Sequence, residues 1–177
     1  MMLLFIQFTE AYTLPEQYLI KYGDKMAKTK ITEYFSLGCK SCLESFQQDF
    51  LKAKQQLIDT GEVEWIFCPY PVDLDTMYFM YIYAKLPETQ KKLFFELIMH
   101  EEYVDEEIMS IALAALKQDI NFLNLQDKPE SREILKAGSV IINLLKLSEL
   151  PILNVNGELI TDLPDELFIQ KIKGSIK

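Results

Sequence analysis

Hydrophobic and polar positions change period several times along the chain, and each change predicts an element. Residues 30–36 (KITEYFS) form a short run of β-branched and aromatic side chains that suits a buried strand and stops at Leu37-Gly38. From residue 39 to 60, Cys42, Leu43, Phe46, Phe50, Ala53, Leu57 and Ile58 recur at helical spacing, and Gly61 stands just beyond as a left-handed cap. One long amphipathic helix is predicted there. Residues 62–68 (EVEWIFC) are a second strand-like run, closed by Pro69-Tyr70-Pro71, through which neither ladder nor helix continues easily. Strand, helix, strand predicts a βαβ unit with parallel strands and a right-handed crossover.

A helical block follows over residues 75–147. Met77 to Ala84 is apolar nearly all round, as expected of a helix buried between layers, and Pro87 ends it. Residues 88–100 place Leu93, Phe94, Leu97 and Ile98 on one face, and residues 106–117 do the same with Ile108, Ile111, Ala112 and Ala115. Another helix is expected over about 131–146, after a linker-like stretch at 124–130. Residues 151–155 and 158–161 then flank Asn156-Gly157, the strongest short-range hairpin signal, and a final helix is predicted over 164–172. No internal repeat or low-complexity tract is visible.

The apolar run 1–8 is far shorter than the ~20 residues a membrane-spanning helix requires, and no other stretch is long enough, so no transmembrane segment is predicted. Residues 1–27 are expected to be an arm or strand packing on the domain, or a signal remnant with Thr9-Glu10-Ala11 left from a cleavage region.

Composition sharpens this picture. Hydrophobic residues make up 49% and charged residues 25%, with 11 Phe and 9 Tyr, a balance that supports one folded core and not disorder. A formal charge of -9 has the wrong sign for gripping phosphates, so nucleic acid is not an expected partner. Three cysteines and one histidine restrict metal chemistry. After Cys39 and Cys42 only Cys68 and His100 remain, far apart and in no ligand pair, so no metal and no cofactor is expected. An odd cysteine count in a chain with an ample core also argues against a disulfide scaffold. A C-x-x-C beside a βαβ unit reads as a dithiol redox motif.

The order βαβ, helical block, hairpin, helix carries a resemblance that can now be named. ITEYFSLGCKSC resembles the active-site strand and helix start of DsbA-like thiol-disulfide oxidoreductases, in which an aromatic-aromatic-Ser strand end (here Tyr34-Phe35-Ser36) leads through two residues to the first Cys, with a Glu six positions before it (Glu33). EWIFCPYPVD resembles the second strand and its Pro-containing loop, and ELPILNVNGELI the cis-Pro loop and hairpin. The resemblance runs from Lys28 to the C-terminus and is weakest across the inserted helices. It implies an α/β thioredoxin-like fold, a central mixed β-sheet flanked by helices, with residues 28–74 and 148–177 forming the thioredoxin-like domain and 75–147 an inserted helical domain. It also implies protein thiols and disulfides as substrates, a redox partner that regenerates the cysteines, and an exported, periplasmic location, the cytoplasm being the alternative. Oligomeric state is left open.

The residues support that chemistry. Cys39 stands where a helix begins, so unpaired N–H groups favour its thiolate, and Lys40 adds a positive charge nearby. Cys42, one turn on, is the expected resolving thiol. Lys40-Ser41 replaces the Pro-His found in family oxidants, which leaves oxidase, isomerase and reductase open, with a slight lean to oxidase. The resemblance makes Pro151 a cis proline whose preceding residue, Leu150, pairs with a substrate strand, although a trans proline starting an edge strand is commoner for any X-Pro bond. It gives Glu33 the role of relaying the proton of Cys42, against the plainer alternative of a carboxylate at a solvated sheet edge.

Cys68 is expected to be a buried small hydrophobe and His100 a solvated residue at a helix end. Two other functional classes compete. A binding or chaperone module on the same fold would not depend on both cysteines. A peroxidase of the same superfamily would want a Pro-x-x-x-Thr/Ser-x-x-Cys setting, and residues 33–38 contain no Pro. Glutathione-transferase chemistry also uses added helices, but a two-cysteine site favours dithiol exchange.

Overall fold

Strands β1 (Ile20–Tyr22), β2 (Thr29–Phe35), β3 (Val63–Pro69), β4 (Ile152–Val155) and β5 (Glu158–Ile160) make one sheet in the order β1-β3-β2-β4-β5. The computed structural model describes residues 13–129, 131–160 and 168–175. β2 runs parallel to β3, with Ile31 opposite Trp65 and Glu33 opposite Phe67, and antiparallel to β4, with Glu33 opposite Leu153. It is therefore the central strand, and every residue of it except Lys30 is buried. This is why its sequence reads as a nearly continuous apolar run and not as an alternation. β1, drawn from the stretch expected to be an arm or strand, joins β3 antiparallel, Ile20 opposite Phe67.

The helical path predicted over 39–60 is present, with two wide turns that a period count does not show. α1 (Lys40–Ser45) leads into a π-helical turn at Phe46–Phe50, α2 (Leu51–Ala53) and a second π-helical turn at Lys54–Ile58. Phe46 and Phe50 stack at 5.1 Å and both meet Phe67 of β3, at 5.7 and 4.8 Å. Gly61, at φ 80°, closes the run.

Between β3 and β4 lie α3 (Leu74–Lys85), α4 (Glu88–Met99), α5 (Glu106–Ala115) and α6 (Ser131–Leu145), and α7 (Phe168–Ser175) follows the hairpin. α3 is buried on nearly all sides, as its unbroken apolar run requires. The faces expected for the next two helices are corrected. In α4 the buried side chains are Phe94, Phe95, Ile98 and Met99, while Leu93 and Leu97 are 49% and 37% exposed. Phe95 sets this rotation, because its ring meets Phe35, Phe46, Phe67 and Phe79 in the core. In α5 Met109, Ala112 and Leu113 are buried, and Ile111 and Ala115 are exposed. The linker-like stretch contains a short 3-10 turn, Leu125–Asp127.

The hairpin turns at Asn156 and Gly157, at φ 51° and 98°, as the Asn-Gly pair demands. Asn156 also exchanges two bonds with Lys30 of β2: its Oδ1 accepts from the Lys30 N–H at 2.9 Å and its own N–H donates to the Lys30 carbonyl at 3.0 Å. The start predicted for the last helix, residue 164, lies outside the described residues. Among the described residues no helix is long and apolar enough to cross a membrane.

Candidate active site

The loop between β2 and α1 is held from α3. Asp73 caps that helix by accepting the Thr76 N–H at 2.7 Å, and the same carboxylate accepts the hydroxyl of Ser36. Thr76 Oγ1 in turn accepts the Leu37 N–H at 2.8 Å, and the Cys39 N–H donates to the Ser36 carbonyl at 3.2 Å. A Cβ at Gly38 would stand 3.3 Å from Asp73 Cγ, so only the smallest residue lets the capping carboxylate lie against the loop without displacement. Neither Asp73 nor Thr76 was singled out from the sequence, although Asp-x-x-Thr just after Pro71 is a helix-start signal.

Cys39 is the N-cap of α1 and is joined to Cys42 in a disulfide, with their Cα atoms 5.3 Å apart. Cys39 Sγ accepts the Cys42 N–H at 3.2 Å. The two sulfurs are not equivalent, since Cys39 is partly exposed and Cys42 is fully buried. Of the two, only Cys39 is open to solvent. Lys40 points away from the sulfurs' mouth toward its own helix. It is 82% exposed and its Nζ lies 3.5 Å from Glu44 one turn on, so its charge is shared with a carboxylate and with water.

Ser41 stands closer to the sulfur chemistry. Its hydroxyl donates to the Leu150 carbonyl at 3.0 Å and lies 3.2 Å from Cys39 Sγ. Leu150 is brought in from 111 residues away by the pairing of β4 with β2, and its carbonyl oxygen lies 3.4 Å from Cys39 Sγ. The Leu150–Pro151 peptide is cis. The segment before it is anchored by Tyr70, whose hydroxyl accepts the Leu147 N–H at 3.1 Å, and by α6, where a Cβ at Gly138 would come within 2.6 Å of Pro71 Cγ. Beside Cys39 these elements leave an open cleft of about 330 Å³ bordered by Tyr70, Val72, Asp73, Leu147 and Leu150.

Glu33 is fully buried in the central strand, which removes the solvated-edge alternative. Its Oε2 accepts the Trp65 indole N–H at 3.0 Å, and Ser45, one turn beyond Cys42 on α1, places its hydroxyl 3.5 Å from Oε1. Burial pushes its acid pKa up to about 8; the Trp65 and Ser45 hydrogen bonds oppose the rise and the charge of Asp49 adds to it. The carboxyl is thus mostly protonated at neutral pH. Trp65 was not foreseen as its partner, because the indole reaches Glu33 diagonally from the position opposite Ile31.

Cys68 is a buried free thiol whose pKa burial pushes up to about 12, which keeps it protonated and inert. His100 caps the C-terminal end of α4, exposed, with its ring edge-on to Phe46 at 5.5 Å. Among the described residues no group of His, Cys, Asp and Glu is arranged to hold a metal.

A family model described as thioredoxin matches residues 16–173. The chain belongs to the thioredoxin family. No curated protein sequence matches it at a significant level. Solved structures similar to this thioredoxin-family chain include oxidised BdbD from Bacillus subtilis, at 16% identity and a TM-score of 0.71 over 93% of this chain and 96% of that one. α-DsbA1 from Wolbachia pipientis aligns at 20% identity with a TM-score of 0.63, over 92% and 93%. A periplasmic thioredoxin-like protein from Salmonella enterica serovar Typhimurium aligns at 16% and 0.70, over 91% of each chain. The fold is therefore the DsbA-like form of the thioredoxin fold, with helices between the two halves of the sheet. Family membership together with a Cys-x-x-Cys disulfide at the start of the helix after the central strand makes this chain a protein disulfide oxidoreductase.

Proposed function

We propose that this oxidoreductase works as an oxidase, passing its Cys39–Cys42 disulfide to pairs of thiols in protein substrates. The observation that carries this is the asymmetry of the two sulfurs: the one a partner can reach, Cys39, already accepts a backbone N–H at 3.2 Å, while its mate is buried. A substrate thiolate attacks Cys39 Sγ, the S–S bond breaks, and Cys42 leaves with the electron pair. Glu33, neutral within its burial, supplies the proton that Cys42 takes up and recovers it from solvent. The substrate's second thiolate then attacks the substrate sulfur of the mixed disulfide and expels Cys39 as a thiolate, stabilised at the helix start. The substrate loses two electrons and two protons; the enzyme takes up both electrons and one proton, ending with Cys42 as a thiol and Cys39 as a thiolate, and the other proton goes to solvent.

In this reading the Leu150 backbone, next to Pro151, pairs with the extended substrate segment lying in the cleft. Lys40 and Ser41 tune the sulfur between them. Residues 28–74 and 148–177 form the redox domain and 75–147 the inserted helical one, and a separate oxidant resets the cysteines. The chain acts outside the cytoplasm, a location supported by its likeness to a periplasmic protein.

The reduction potential measured against glutathione tests the direction of flow. A value above about -200 mV, the range of disulfide isomerase and DsbA, is expected, and one near -270 mV, as for thioredoxin, would make the chain a reductase instead. In parallel, Cys42→Ser is expected to accumulate mixed disulfides at Cys39, and a variant that traps nothing would point to a binding module.

A further inference from the structure

Three atoms close a small triangle at the mouth of the site. Ser41 Oγ lies 3.0 Å from the Leu150 carbonyl oxygen and 3.2 Å from Cys39 Sγ, and the carbonyl oxygen lies 3.4 Å from the same sulfur. The triangle holds one mobile proton, because a hydroxyl has a single O–H to donate and neither the disulfide sulfur nor the carbonyl has any. We propose that Ser41 is a positioning residue that gives this proton to the Leu150 carbonyl while the cysteines are joined and to the Cys39 sulfur once they are reduced. The inference rests on the disulfide-exchange reading of the site.

In the disulfide form the sulfur is a neutral, weak acceptor and the carbonyl a good one, so the O–H points at Leu150. Reduction makes Cys39 a thiolate. Hydrogen bonds to a charged acceptor are roughly twice as strong as neutral ones, and the hydroxyl already stands at sulfur bonding distance. Turning about the Cβ–Oγ bond exchanges the acceptors without moving a heavy atom. The Cys42 N–H also donates to this sulfur, while Lys40 is turned toward Glu44.

Two consequences follow for the reaction. The thiolate gains a second donor, which deepens the reduced state and makes the disulfide more oxidising. The Leu150 carbonyl changes at the same time: the oxidised enzyme, which meets substrates, offers one of its two lone pairs to an incoming strand N–H, and the reduced enzyme, which meets the resetting oxidant, offers both. A single hydroxyl thereby makes the strand-pairing edge report the redox state of the cysteines.

The test uses the full chain in its oxidised and reduced forms as wild type, Ser41→Ala and Ser41→Thr. The Cys39 thiolate is titrated by its absorbance near 240 nm, and the carbonyl carbon shift of Leu150 is followed by NMR. In Ser41→Ala the thiolate midpoint is expected to rise by roughly one pH unit, a ~tenfold loss of thiolate below the midpoint. The Leu150 shift should change on reduction by more in the wild type than in Ser41→Ala, where only the charge on the sulfur 3.4 Å away changes, and Thr, which keeps the hydroxyl, should restore both. Ser41 is exposed, so in the oxidised form, where Cys39 does not titrate, the variants are expected to keep the wild-type urea midpoint. Coincident titrations of wild type and Ser41→Ala, or a Leu150 shift that responds to reduction equally in both, would overturn the inference. Failure to oxidise any dithiol peptide in the wild type would instead strike at the oxidase reading, because both of these readouts concern the chain's own cysteines.

Discussion

Glu33 is a carboxyl in a fully buried strand, where such groups are rare, and its chemistry is visible in how stability depends on pH. Its folded pKa of about 8 lies above its ordinary 4.5 because burial disfavours the carboxylate. Between those two values the folded chain holds more protons than the unfolded one, so stability is greatest below 4.5 as far as this group is concerned and is lost as pH rises through 8. The urea midpoint of the wild type is therefore expected to fall from pH 6 to pH 9, and that of Glu33→Gln to vary less over the same range. If Glu33 also serves Cys42, the same variant should oxidise a dithiol peptide on the order of 10²-fold more slowly while remaining folded. Equal rates with an altered stability profile would leave Glu33 a structural acid only. The sequence marked Glu33 through the family resemblance and placed it in a strand of buried type, yet the choice between core and solvated edge and the bond to Trp65 were not legible there. Both depend on which strands flank β2, and the hydrophobic pattern of one strand does not name its neighbours.

Elements were more legible in their existence than in their orientation. The strand, helix and hairpin segments appear within a few residues of their predicted bounds, because Gly61, Pro69, Pro87 and Asn156-Gly157 punctuate the chain with backbone constraints that act locally. The rotation of α4 is a different matter, since Leu93, Phe94, Phe95, Leu97, Ile98 and Met99 permit two faces at helical spacing. Packing chooses the one carrying Phe95, whose ring lies 5.0 Å from Phe67 and 5.3 Å from Phe46. This choice predicts an asymmetry in truncation. Phe67→Ala, emptying a fully buried site in contact with rings from four elements, is expected to cost about 3–5 kcal/mol, whereas Leu93→Ala, half exposed, should cost less than about 1 kcal/mol. Chemical denaturation of both variants measures the difference, and a Leu93 cost equal to that of Phe67 would contradict the packing.

The folded chain as a charged body adds a constraint that no single site shows. Twenty-seven acidic side chains against 18 basic ones leave a formal charge of -9, and the cleft beside Cys39 is bordered by Asp73 and the exposed Glu149, with Asp75 near Asp105 and Glu106. The Asp75 carboxyl is accordingly held above its ordinary range, by partial burial first and then by Asp73, Asp105 and Glu106. A field of that sign draws cationic partners and repels anionic ones over about a Debye length, roughly 8 Å at physiological ionic strength. The second-order rate of disulfide exchange with a Lys-flanked cysteine peptide should thus exceed that of a Glu-flanked one of equal length at low salt. Raising the salt toward 1 M should slow the first, speed the second and bring the two together, because screening removes the long-range term and leaves the sulfur chemistry unchanged. Stopped-flow rates at several salt concentrations measure this. Parallel salt dependence of the two peptides would mean that the acidic surface is too far from Cys39, or too well solvated, to steer what reaches it.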